Sequence, residues 1–420
     1  MTMFNGRAGA TALWLAALIL ISSAASAQTE NASAPQPEQP AATRAEALQA
    51  ERGAKAKELA PHQPNRVERG LDFFEDRAIF ILDREGSYPK LGTITVGSGF
   101  AYGLGYRDRD LLNNYGQVDV WVAGSTRGYF ATEGRLRFPE LANKRLLVEG
   151  WGGRRDYAGE YFFGLGPNSE RSAQTDYGLR TTVVGVSAGV RPFPKTIVGG
   201  SVEYLTPSVG KGNDDRVPDT EDVFTEAEAP GVSQRADFLR THGYFELDYR
   251  EPRYARRGGF LRADISHYED RTTGAYTFNR YDFDLRQFFG FLNDRRVLGL
   301  RAFVSTTDER AGGVVPFYGM PTLGGNDTLR GFRMYRFRGP HALLLQAEYR
   351  WEIWSALDGA LFYDAGKTPL DRSDINLDGL QSDYGFGFRF NTRNGIILRV
   401  DAGFGSRDGT HLYIVWGGVF

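Results

Sequence analysis

From about residue 93 to the C-terminus, apolar and polar residues alternate with period two, and no other feature constrains this chain as strongly. Leu343, Leu345, Ala347, Tyr349, Trp351 and Ile353 fall on one face of an extended run, and Gln346, Glu348, Arg350 and Glu352 on the other. Ile396, Leu398, Val400, Ala402 and Phe404 alternate likewise with Ile397, Arg399, Asp401 and Gly403, as do Tyr281, Phe283 and Leu285 with Asp282, Asp284 and Arg286. Successive side chains of a strand point to opposite faces, so each run carries one apolar and one polar face. A secreted sandwich alternates too. Here, however, dense mixed charge recurs on one face of consecutive strands, which suits a water-filled lumen. The runs also reach the roughly 9–11 residues that a tilted membrane strand requires. The expected fold is all-β, a transmembrane antiparallel β-barrel. Strand starts near residues 93, 115, 127, 145, 175, 195, 236, 258, 276, 295, 314, 341, 355, 382, 395 and 411 give sixteen strands.

An even count brings both ends of the barrel to one side. On these boundaries the connections at 251–257 and 367–381, and the long one carrying Arg330, are extracellular, while Trp354-Ser355 and Asn391–Asn394 are short periplasmic turns. The acidic Thr206–Gln234 segment then falls on the periplasmic side, where turns are normally short. Either a strand is miscounted there or the segment has a periplasmic role.

The composition closes off several functions. Lys and Arg number 50 against 52 Asp and Glu, so the basic excess of a nucleic-acid binder is missing. With no cysteine there are no disulfides, no Cys-ligated metals and no thiol catalysis. Abundant Gly, Tyr and Phe (52, 21 and 29) at a mean hydropathy of −0.40 argue against a helical membrane protein. No phosphate loop, nucleotide fingerprint or metal motif is visible, so neither cofactor nor metal is expected. His62, His242, His267, His341 and His411 sit in no recognisable Ser/His or Asp/His pattern, and an enzyme is not expected.

The N-terminus reads as a signal peptide over residues 1–27. Arg7 supplies the positive end, Ala12–Ile21 the apolar core and Ala25-Ser26-Ala27 the cleavage site. Residues 28–70 are rich in Ala, Pro, Gln and Glu and bury too little to fold, which suggests a low-complexity periplasmic tail. Residues 71–92, with the apolar run Arg77–Asp83, form a lead-in or plug, and 93–420 the barrel.

Within the connection between Thr306 and His341 lies Gly324-Gly325-Asn326-Asp327-Thr328-Leu329-Arg330-Gly331-Phe332. Its glycines allow a sharp fold-back, and an arginine on such a turn can reach a carboxylate by paired, charge-assisted contacts. This stretch, followed by Glu348-Tyr349-Arg350, Phe362-Tyr363-Asp364-Ala365-Gly366 and terminal Phe420, resembles the bacterial surface-antigen superfamily, which holds the BamA and TamA outer-membrane assembly barrels and the two-partner secretion transporters. Tyr161–Gly166 and Glu251–Gly259 resemble its other recurrent stretches, so the likeness runs from about Gly92 to Phe420.

That resemblance implies that the loop folds into the lumen and that Arg330 meets Glu348 and Asp364, with Gly325, Gly331 and Phe332 completing the docking motif. The alternation independently places Glu348 and Asp364 on the lumen face; a reading in which they merely shape a pore stays open. The resemblance further implies a lateral seam between first and last strands, where Gly97, Gly99, Gly103, Gly105, Gly417 and Gly418 would weaken pairing, and an assembly signal at Phe420. Residues 28–92 lack the pattern of the periplasmic POTRA repeats that precede such barrels, so the chain is similar to short members without them. The function implied is insertion or translocation of protein or lipid at the outer membrane. The partners implied are membrane lipid, a client and a periplasmic accessory protein, with no nucleic acid. A passive pore or structural surface barrel is the alternative.

Overall fold

A computed structural model describes residues 69–70, 73, 85–95, 97–251, 255–391, 396–405 and 408–416. The signal peptide, nearly all of the tail, Arg77–Asp83, Gly417, Gly418 and Phe420 lie outside the described residues. Sixteen strands form one antiparallel sheet in which each pairs with the next. They are β1 (Gly86–Gly92), β2 (Ala101–Asp110), β3 (Gly116–Ser125), β4 (Phe130–Glu140), β5 (Leu146–Phe162), β6 (Thr175–Val190), β7 (Thr196–Lys211) and β8 (Phe238–Asp248), then β9 (Gly258–Asp270), β10 (Phe278–Phe291) and β11 (Arg296–Glu309). Two short strands, β12 (Thr322–Leu323) and β13 (Phe337–Arg338), pair within the connection that follows. The sheet resumes with β14 (His341–Trp354), β15 (Leu357–Lys367), β16 (Gln381–Asn391), β17 (Ile396–Gly405) and β18 (Gly409–Trp416). Among the described residues no pairing joins β1 to β18.

The expected alternation fixes the two faces. Val184 and Val186 of β6 are 59% and 61% exposed and Tyr384 of β16 is 64% exposed, whereas Asp383 and Arg389 on the opposite face of β16 are buried. The outward face is therefore an apolar belt, and the inward face carries arginine–carboxylate pairs such as Arg107–Asp119, Arg135–Glu149, Arg262–Glu246 and Arg301–Asp284. No helix among the described residues is long and apolar enough to cross a membrane. The strands supply the membrane-facing surface.

Two differences from the expected strand boundaries cancel in the count. The stretch Thr93–Arg107 is not one strand: β1 begins at Gly86, inside the expected lead-in, and a loop separates it from β2. The strand expected near 314 does not form, because residues 310–340 are one long connection holding only β12 and β13. Between those two points every strand runs opposite to the expected direction. The connections at 163–174, 212–237, 310–340 and 368–380 all lie at one end of the sheet, and the acidic segment shares that end with Arg330. The connection at 249–257 lies at the other end, with the short turns at 111–115, 141–145, 191–195, 292–295 and 355–356.

Three of those turns are built alike. Leu112-Asn113-Asn114, Ala142-Asn143-Lys144 and Leu292-Asn293-Asp294 all hold φ between 49° and 68°. Non-glycine residues resist this region, and Asn and Asp resist it least, which accounts for the asparagine at the middle of each turn. At the opposite end the long connections share apolar cores. Phe162, Tyr177, Ala229, Val232 and Phe317 form one, and Ala236, Phe238, Tyr276, Phe278, Val315 and Met320 another.

Candidate functional site

The 310–340 connection turns back on itself at Gly324 and Gly325, whose φ values of +114° and +104° need glycine. A β-carbon on Gly324 would fall 2.2 Å from the Arg333 carbonyl oxygen. The Gly325 amide donates to the carbonyls of Leu329 and Phe332, which closes the turn. Leu329 and Phe332 then bury fully with Leu323, Phe337 and Leu344, the Phe332 and Phe337 rings meeting at 5.1 Å between centroids. This apolar anchor aims Arg330 at the inner faces of β14 and β15.

Arg330 is fully buried. Its Nε and Nη2 donate to Asp364 at 2.7 and 2.8 Å, its Nη1 donates to Glu348 at 2.7 Å, and its guanidinium lies 3.5 Å from the centre of the Phe362 ring. Gly331 packs between β16 and β17, where a β-carbon would fall 2.5 Å from the Asp383 β-carbon and from the Gly405 nitrogen. The residues Gly325, Arg330, Gly331, Phe332, Glu348 and Asp364 are thus brought together.

The cluster extends beyond the residues that sequence singled out. Glu348 also accepts from Arg350 Nε at 2.7 Å and Arg389 Nη2 at 2.7 Å. Asp401 accepts from Arg389 and from Arg399 Nη1, and lies 3.8 Å from Arg330. Arg399 in turn reaches back to the loop through the Asn326 carbonyl and the Asp327 carboxylate. Removing such charges from water costs several kcal/mol per ion, and only full hydrogen bonding offsets it. A buried cluster of this kind is therefore weak evidence of added stability by itself. Gly385 and Gly387 on β16 make room for it: β-carbons there would fall 2.2 Å from the Phe362 ring and 2.1 Å from the Asp401 carboxylate. The alternation Tyr384-Gly385-Phe386-Gly387-Phe388-Arg389 was the available sequence signal, a strand with glycine on its charged face.

A second anchor lies nearer the long-loop end. Arg338, 2% exposed, donates to the Tyr177 hydroxyl and the Phe317 carbonyl, and the Gly166 amide donates to the Arg338 carbonyl at 2.7 Å. Arg336 donates to Ser169 Oγ and its carbonyl and pairs with Asp408. The loop is held at both its tip and its base.

With this architecture in view, comparison with solved structures decides the fold. The chain matches BamA from Haemophilus ducreyi lacking POTRA domains 1–3 at a TM-score of 0.58 and 11% identity, over 86% of this chain and 81% of that one. The fold is the BamA barrel fold. CdiB from Escherichia coli matches at a TM-score of 0.52 and 13% identity, over 78% of this chain and 61% of that chain, so less than two thirds of CdiB is spanned. No family model and no curated protein matches the sequence.

Among the described residues β1 and β18 are the unjoined edges of this BamA-type sheet, and none of Gly97, Gly99, Gly103 and Gly105, expected in the first strand, lies in either. Gly97 and Gly99 sit in the β1–β2 connection with φ of +86° and +74°. Gly103 and Gly105 belong to β2, paired on both sides. Gly105 is there for the Tyr88 ring, which would lie 2.3 Å from any β-carbon. The edge strand β1 instead carries Pro89, which has no N–H to donate, and Lys90.

Three adjacent strands also align Ser201, His242 and Asp264, an arrangement that no sequence spacing showed. His242 Nε2 lies 2.7 Å from Asp264 and its Nδ1 3.4 Å from Ser201 Oγ, which donates to Glu203 at 3.1 Å. With its hydroxyl turned to Glu203, Ser201 is one more rung of the lumen's polar ladder.

Proposed function

We propose that this chain is an outer-membrane barrel that inserts or translocates protein or lipid, with its long-loop end outward and a periplasmic partner at the short-turn end. The observation that carries this reading is the fully buried Arg330, gripped by Glu348 and Asp364 on two neighbouring strands. An inward loop would narrow a passive pore too, but a loop locked at its tip by a desolvated ion cluster best suits a barrel that must hold it in one place while its edge strands admit a client. The edges of β1 and β18, unpaired with each other among the described residues, offer backbone groups to an incoming strand.

The chain carries no chemistry of its own in this reading. Its partner meets the short-turn end or the tail, not the acidic segment, which lies at the opposite end. The test dilutes a urea-unfolded barrel protein into phospholipid vesicles containing wild type or Arg330→Ala, with bilayer conductance measured in parallel. Faster client folding with wild type than with the variant, and a small fluctuating conductance, is the expected result. A large steady conductance unchanged by Arg330→Ala, with no effect on client folding, makes the protein a passive pore.

A further inference from the structure

The edges of the sheet are not joined by strand pairing among the described residues, yet one short segment touches both. On the β18 side, Tyr413 Oη donates to the Phe332 carbonyl at 2.9 Å. Arg336 Nε pairs with Asp408, in the β17–β18 connection, at 3.2 Å, and the Arg333 amide approaches the same carboxylate at 3.4 Å. The backbone there is in close contact too: a β-carbon on Gly403 would fall 2.3 Å from the Arg330 carbonyl oxygen.

On the β1 side, the Met334 methyl group lies where a Gly97 β-carbon would be only 2.7 Å away. Gly97 belongs to the β1–β2 connection. That connection is itself tied to the next one by Arg127 Nη1 on the Gly97 carbonyl at 2.9 Å and by the Thr126 amide on the Phe100 carbonyl at 2.9 Å. Phe332–Arg336 therefore spans the gap from β18 to β1 at the long-loop end.

We propose that Phe332–Arg336 is a staple across the open seam, with Arg336 holding the β18 edge through Asp408 and Met334 holding the β1 edge at Gly97. The buried Arg330 fixes the staple's root, so undocking the loop frees both edges together. These are positioning residues: they set how far apart the seam's outer corners stand, and in doing so control how wide a client strand the seam admits. That last consequence rests on the function proposed above; the staple itself does not.

The absence of cysteine allows a direct test. Phe100→Cys and Thr410→Cys place spin labels on exposed positions at the two corners, and the distance distribution is read in lipid nanodiscs by pulsed electron resonance. The staple predicts one narrow distribution in the labelled parent. It predicts broadening with Arg336→Ala, with Met334→Ala and with Arg330→Lys, the last equal to or larger than either arm alone. A distribution that is already broad in the parent, or that stays narrow in all three variants, overturns it. Heat-shifted migration on a denaturing gel identifies any variant that has not folded, and Arg336→Lys, which keeps the charge on Asp408, then serves as the milder probe and is expected to broaden less than Arg336→Ala. No client is present, so a failed insertion assay leaves this measurement intact.

Discussion

Gly405 lies so close to Gly331 that a β-carbon on it would fall 1.9 Å from the Gly331 carbonyl oxygen. The contact is backbone to backbone, so no side chain can swing aside to admit a larger residue. Gly405→Val is expected to lift the Arg-Gly-Phe turn off β17 and pull Arg330 from Asp364. The check is a double-mutant cycle on the midpoint of heat-induced unfolding. Arg330→Ala lowers it in the parent and changes it little in the Gly405→Val background, because the contact is already lost. Additive losses would mean that the turn adjusts without undocking.

The ion cluster makes a second prediction. Arg330→Met leaves Asp364 buried without its main partner, and breaking one side of a buried pair costs about 3–5 kcal/mol. The double variant Arg330→Met with Asp364→Asn removes both charges and should recover most of that loss, measured by urea-induced unfolding in detergent. The recovered protein would separate two roles: it should be folded, with a loop whose position is no longer fixed. A double variant as unstable as the single one would show that the Phe362 stacking and the Glu348 contact carry the cluster.

Part of this architecture is legible in the sequence alone. The alternation in Leu343–Ile353 reveals both faces of β14, and the Arg330, Glu348 and Asp364 grouping follows from motif resemblance plus that alternation. The seam was misplaced because strand ends are marked by turn chemistry. The αL turns Leu112-Asn113-Asn114 and Ala142-Asn143-Lys144 carry no Gly or Pro, yet the strand starts expected near 115 and 145 lie within one residue of Gly116 and Leu146. Conversely, Gly97 and Gly99 looked like weak strand residues but are turn glycines. Of the extra residues of the cluster, Arg399 and Asp401 fall on the charged face in the alternation of their strand, and Arg389 is not singled out by it. Nothing in a single strand says that four strands and a loop converge on them.

The cap over the long-loop end should respond to acid. Burial alone pushes the Glu226 carboxyl up, but hydrogen bonds donated by Tyr276, Gly231 and Ser233 outweigh it and hold the carboxyl below its ordinary value. A carboxylate depressed in the folded state stabilises above its unfolded pKa, about 4.3, and that contribution is lost as pH falls through the folded value. The 212–237 connection should therefore become sensitive to pepsin as pH drops from 5 toward 3. Glu226→Gln should be cleaved at pH 5 as well, with the pH step abolished. Resistance unchanged at pH 3 in the parent would place the cap's strength in its apolar cores.

The edge strand offers the last prediction. β1 is seven residues long and among the described residues pairs with β2 alone, so its hold depends on what it contributes inward. That contribution is Tyr88, whose ring fits over Gly105, whose hydroxyl donates to Asp119 at 2.6 Å and over which Arg107 stacks at 4.6 Å. Gly105→Val expels the ring and should raise amide exchange in residues 86–92 at least about tenfold, a loss on the order of 1.4 kcal/mol, while β10 and β11 are unaffected. Tyr88→Phe keeps the ring and loses one hydrogen bond, worth about 1 kcal/mol, and should exchange at an intermediate rate. The ordering matters more than either value. If both variants leave β1 as protected as before, the strand is held by its backbone ladder alone, and the opening of the seam must then be sought at β18.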